Sequence, residues 1–88
     1  MKLIIAILQD SDNDPVTHAL VEEEYRVTMV ASTGGFLRKG QTTLLIGVED
    51  GRLERALEII RGALAPASEP NVKRATIFVL KVDHYTHF

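Results

Sequence analysis

The stretch from Ser32 to Thr43, STGGFLRKGQTT, holds the residues whose types and spacing most suggest chemistry. Gly35 and Gly40 have the spacing of the phosphate-cradling pattern G-x-x-x-x-G-K-[ST], Thr42 stands where that pattern needs its hydroxyl, and Gln41 replaces its lysine. A phosphate loop opens a helix whose N-terminal N–H groups meet the anion. Here the residues after Gly40 enter the β-type run QTTLLIGV, so the pattern lacks its helix. A looser reading survives. Glycines leave backbone N–H groups accessible and can form an anion-binding nest, with Arg38 and Lys39 inside the loop and Arg26 on the segment before it. The same composition also fits a plain glycine-rich turn between two strands with solvated cations, and the residues alone leave both open.

Other constellations are weaker. Asp10, Asp12 and Asp14 match the first ligand positions of a calcium loop, but Pro15 falls where that loop needs glycine and Val21 where it needs glutamate. Helix capping explains DSDND better, with Asp14 as the cap and Pro15 in the first turn. His84 and His87 form an H-x-x-H that would align two metal ligands only on a helix; a tail packed on a neighbouring subunit is the simpler expectation. No serine elbow, no cysteine and no carboxylate pair placed in a cleft points to catalysis. An RNA-recognition domain needs several aromatic residues on its central strands, whereas KLIIAILQ has none and RATIFVLKV only Phe78.

The elements that must position these residues follow from pattern. Lys2 to Gln9 is a short, nearly continuous apolar run, which fits a central strand covered on both sides better than a half-exposed edge. A modest apolar stripe containing Val16, Ala19 and Leu20 predicts a helix from about Pro15 to Glu24. RVTMVAS alternates and is β-branched, which predicts a strand presenting Arg26 and Thr28 on one face. QTTLLIGV predicts the next strand. Leu53, Ala56, Leu57, Ile60 and Leu64 recur at three- and four-residue steps and predict an amphipathic helix, with Arg52, Glu54, Arg55, Glu58 and Arg61 outward. APASEPN reads as a linker, and a last strand runs from about Arg74 to Val82. The order is βαββαβ, the ferredoxin-like arrangement of an α+β fold.

Eighty-eight residues are enough for one domain, 1–88, and so short a chain gains from association. The net charge of −2 argues against non-specific nucleic-acid binding, while a phosphate ligand needs only a local basic patch. The first apolar run is too short for a signal peptide, and nowhere is there a run long enough for a membrane span, so a cytoplasmic protein is expected.

Three stretches, MKLIIAILQDSD, YRVTMVASTGGFLRKGQTTLLIGVEDGRLE and ATIFVLKVDHYTHF, together resemble the PII-like cyclic di-AMP receptor family. The resemblance covers most of the chain and is most specific at STGGFLRKGQTT, followed by Gly47 and an acidic turn in the expected order. It implies a ferredoxin-like subunit assembled as a PII-like homotrimer, with ligand sites in the clefts between subunits. Such a protein is a signal receptor rather than an enzyme, and it passes its state to a protein target. Carried over by position, the resemblance implies that Arg26, Thr28, Gly35, Phe36, Leu37, Gln41, Gly47 and Phe78 hold an adenine nucleotide, cyclic di-AMP first. Arg26 would meet a phosphate, Thr28 a phosphate or base, and Phe36 and Leu37 an adenine face. No cofactor or metal is implied.

The chain departs from the family pattern at Glu24 and Gln41, where the family has asparagine, and at His87, where it has glutamine. The family's long loop before the last strand is reduced to APASEPNVKR. These departures imply an alternative: a PII-like trimeric interaction module that does not bind cyclic di-AMP and senses a mononucleotide, a metal or nothing.

Overall fold

Ile4, Ala6 and Leu8 alternate with Leu3, Ile5 and Ile7 in the first strand, and the period of two sends the sets to opposite faces. The even set is fully buried and the odd set only partly so. One face of the sheet therefore carries the helices and the other lies open, so the cover on both sides expected from the apolar run of the first strand is present on one side only within a single chain. This arrangement was obtained from a computed structural model, which describes residues 1–30, 40–64, 75–83 and 86. Its elements are β1 (Lys2–Gln9), α1 (Asp10–Glu22), β2 (Arg26–Val30), β3 (Gln41–Val48), a 3-10 turn at Asp50–Arg52, α2 (Leu53–Ala63) and β4 (Ala75–Lys81). The strands form one antiparallel sheet in the order β2-β3-β1-β4, so the central pair is β1 and β3. This is the α+β, ferredoxin-like arrangement expected from the element order.

The core lies between the sheet and the two helices. Ile4, Leu8, Leu44 and Ile46 from the central strands meet Val16 and Leu20 of α1 and Ala56, Ile59 and Ile60 of α2. Each large side chain fully removed from water contributes about 1.5–3 kcal/mol. On α2 the inward stripe runs through Ile59 as well as Ala56 and Ile60, while Leu57 is half-buried at its edge. Leu64 lies just past the helix end and packs against the core from there.

The start of α1 differs from the expected one. The helix begins at Asp10, so Asp14 is an interior residue rather than its cap, and Pro15 lies inside the helix. Tertiary contacts explain the extra turn. The Asp10 N–H donates to the Gly40 carbonyl at 2.9 Å, and the Thr42 hydroxyl donates to the Asp10 carboxylate. Pro15 costs the helix the bond that its N–H would have made to Ser11. In a helix the aspartates cannot converge as calcium-loop ligands: at 100° per residue Asp10 and Asp14 share a side, while Asp12 turns the other way and is buried. Gly40 has φ +87°, a conformation that glycine adopts without strain, and it leads directly into β3. No helix follows it, as the β-type pattern of QTTLLIGV indicated.

The other end of α1 closes with paired backbone bonds. Tyr25 N–H donates to the Leu20 carbonyl and Glu24 N–H to the Val21 carbonyl, at 3.1 and 2.9 Å. This is a Schellman ending, whose pivot, Glu24, has φ +66°. Helix α2 is fastened to the same corner. Arg52 lies 4.0 Å over the Tyr25 ring and donates to the Glu23 carbonyl, the Tyr25 hydroxyl donates to the Arg52 carbonyl, and Arg55 grips both carboxylate oxygens of Glu23 at 3.0 and 2.7 Å. The Arg55 guanidinium holds the Glu23 carboxyl below its usual range.

Candidate functional site

The open face of the sheet follows from the strand register. Arg26 faces Gly47, which faces Leu3; Thr28 faces Leu45, which faces Ile5, which in turn faces Phe78. Residues opposite one another share a face. Arg26, Thr28, Leu45, Gly47 and Leu3 therefore come together on the side without helices, where they line a cleft of about 530 Å³. That volume lies within the range of small-molecule sites. Gly47 keeps its floor open: a Cβ there would lie 3.0 Å from the terminal methyl of Met1. Met1 is held at this end by an ion pair of 2.9 Å between its ammonium and Asp50, and that ammonium lowers the Asp50 pKa. Among the described residues, Arg26 has no carboxylate partner, so its guanidinium is available for a bidentate bond to an anion.

Three of the residues expected at a site, Arg26, Thr28 and Gly47, thus converge. Phe78 shares their face but sits on the edge strand β4, three strand spacings or about 14 Å from Thr28. Gln41 lies at the opposite end of β3, six residues or about 20 Å from Gly47. Gly35, Phe36 and Leu37 lie outside the described residues, as do His84 and His87. Sequence reasoning missed Leu3 and Leu45 as cleft walls. The signal was present, since both occupy odd positions in strands whose even positions form the core, but the pairing of β1 with β3 was needed to place them.

At the Gln41 end, the Thr43 hydroxyl is buried on the open face with no hydrogen-bond partner among the described residues. Beyond Arg26 and Gly47, a second cleft of about 350 Å³ turns toward the helix ends and is lined by Glu24, Tyr25, Glu49 and Arg52. Among the described residues, no group of three or more histidine, cysteine, aspartate or glutamate side chains could hold a metal ion, and no helix is long and apolar enough to cross a membrane.

Comparison with known proteins bears on this geometry. A crystal structure of a functionally unknown protein from Pediococcus pentosaceus ATCC 25745 is 38% identical, superposes with a TM-score of 0.79, and is matched over 99% of this chain and 96% of that one. The likeness over nearly both full lengths identifies the fold as PII-like. The family model for the cyclic-di-AMP receptor matches residues 1–68, which include the Arg26, Thr28 and Gly47 cleft and end before β4. By that match, together with the sheet order and the open-face cleft, the chain belongs to the cyclic-di-AMP receptor family.

Proposed function

We propose that the protein is a homotrimeric, cytoplasmic signal receptor that binds an adenine nucleotide, cyclic di-AMP first, in clefts between subunits and passes its state to a protein target. The observation that carries this reading is the convergence of Arg26, Thr28 and Gly47 on one open-face cleft in a chain of this family. The guanidinium supplies the charge for a phosphodiester, Thr28 a hydroxyl beside it, and Leu3 and Leu45 an apolar wall for a base.

Two features support a site shared between copies. The open face carries Leu3, Ile5, Ile7 and Leu45 with Phe78 half exposed, an apolar surface that a second copy would cover. Phe78 and Gln41 are also too far from Arg26 to reach the same small ligand within one chain, whereas a neighbour's copies could close over it. The assembled protein acts as a receptor, without catalysis.

The test is calorimetric titration with cyclic di-AMP, with AMP and ATP in parallel, on protein whose mass in solution is measured by light scattering. A trimer that binds about one cyclic di-AMP per subunit, and loses binding on Arg26→Ala while remaining a trimer, is the expected result. Equal binding by Arg26→Ala would refute the site. One observation favours a second reading, a trimeric module with another small ligand or none: Glu24 borders the cleft end next to Arg26, where a carboxylate opposes an anion. Silence toward all three nucleotides in a proper trimer would select it.

A further inference from the structure

Met1 stands between the two clefts. It lines the open-face cleft together with Leu3 and Leu45, it lines the second cleft as well, and both clefts share Arg26 and Gly47 with it. Its backbone is fixed on two sides: the ammonium pairs with Asp50 at 2.9 Å, and the Val82 N–H donates to its carbonyl at 3.1 Å. Only the side-chain torsions are left to set where the thioether lies. The terminal methyl rests on Gly47, 3.0 Å from the place a Cβ there would take. The side chain is 31% exposed, so it is packed in place and still presents apolar surface to whatever enters beside Arg26.

We propose that Met1 is a ligand-contacting residue: its thioether packs against the adenine base of a nucleotide whose phosphate Arg26 holds, and oxidation of that thioether to the sulfoxide weakens binding. This rests on the nucleotide reading above and names a further residue of the same site. Leu3 and Leu45 supply two apolar sides for a base, and Met1 closes a third at the Arg26 end. A methionine suits that place, because its unbranched side chain adapts to the ring and its polarizable sulfur makes favourable contacts with aromatic systems. Contacts of this kind strengthen binding by roughly twofold to twelvefold. In the oxidation, hydrogen peroxide gives one oxygen atom to the sulfur and leaves as water; the sulfur loses two electrons and the O–O bond takes them up. The product is a polar, chiral side chain in an apolar wall. The chain has no cysteine and one other methionine, Met29. Met29 lies on the opposite face of the sheet, where it pairs with the core residue Leu44 and its sulfur accepts a bond from Asn13 at 3.2 Å. It is the internal control.

The experiment titrates the assembled protein, labelled with carbon-13 at its methionine methyl groups and confirmed by mass to retain Met1, with cyclic di-AMP. Met29→Leu assigns the two methyl signals. The Met1 methyl is expected to shift under the ring current of the base and to saturate with the calorimetric isotherm, while the Met29 methyl stays. Met1→Ala, released from a fusion so that residue 1 keeps its ammonium, should bind more weakly by the factor above, with thermal melts and light scattering establishing fold and assembly. Peroxide treatment should weaken binding by Met29→Leu and leave binding unchanged when Met1→Leu is added to it. If cyclic di-AMP binds and Arg26→Ala abolishes that binding, yet the Met1 methyl does not move or Met1→Ala binds as tightly as wild type, the inference is overturned while the receptor reading stands. If peroxide acts equally with and without Met1, the oxidation claim is overturned. If cyclic di-AMP does not bind at all, the nucleotide reading falls, and the inference with it.

Discussion

Replacing Glu24 by glycine should make the protein more stable, although the change removes a side chain and adds no contact. Glu24 has φ +66°, where an L-residue's Cβ crowds the following carbonyl oxygen. That conformation costs an L-residue about 1–2 kcal/mol. Glycine avoids the crowding, but its greater freedom in the unfolded chain returns about 0.5–1 kcal/mol of the gain. The net expectation is a stabilisation of about 1 kcal/mol, which for a domain of this size raises Tm by about 4–8 °C. Both Schellman bonds use backbone N–H groups, so glycine retains them. Asparagine, which tolerates the same region, should give a smaller gain. The assay is thermal unfolding followed by circular dichroism at fixed protomer concentration, since assembly itself moves Tm. Glu24→Ala is the decisive control, because it removes the carboxylate and keeps the Cβ. If alanine stabilises as much as glycine, charge rather than backbone conformation accounts for the gain; if glycine melts at or below wild type, the conformational argument is wrong.

Two further outcomes are expected. Glu23 has its pKa lowered from an ordinary 4.5, chiefly by its hydrogen bonds from Arg55. The folded form therefore releases that proton more readily than the unfolded form, so the pair's stabilisation is present above pH 4.5 and is lost as pH falls through the lower folded value. Melts between neutral pH and pH 3 should show part of the acid-induced drop in Tm removed by Arg55→Gln; an identical pH profile in the variant would sink the assignment. Gly47→Ala should leave Tm close to wild type, because the new Cβ meets only the flexible end of Met1. Nucleotide affinity should fall, because the same Cβ narrows the floor of the cleft; unchanged affinity would place the ligand elsewhere.

Much of the fold was legible because local pattern and tertiary structure agree. The three- and four-residue spacing of α2 and the β-branched entry of β3 each specify one conformation, and both elements stand where their pattern put them; the apolar run of β1 located a central strand, but the cover expected on both its faces is met on one only, since Leu3, Ile5 and Ile7 are partly exposed on the open face. The start of α1 was not legible. DSDND reads as a cap, yet the chain is already helical there because Gly40 and Thr42, some thirty residues away in sequence, satisfy Asp10. The role of Arg55 was hidden for the same reason: on its own helix it has neighbours of both signs, but its closest partner is Glu23, just past the end of the other helix.

By itself, the sequence determined the α+β order, the pairing of Arg26 with Thr28 on one strand face, and the family resemblance, all of which depend on residues near one another along the chain. Only the tertiary structure decided which of the expected site residues meet. The register of β2 on β3 and of β3 on β1 brings Arg26, Thr28 and Gly47 to one cleft with Leu3 and Leu45, and leaves Phe78 on the far edge strand and Gln41 at the far end of β3. The left-handed turn at Glu24 is likewise a product of closure, imposed where the chain leaves α1 and must enter β2 with Tyr25 in the core. Local pattern fixes which face a side chain takes, but strand pairing fixes its neighbours, and the chemistry of a site belongs to neighbours.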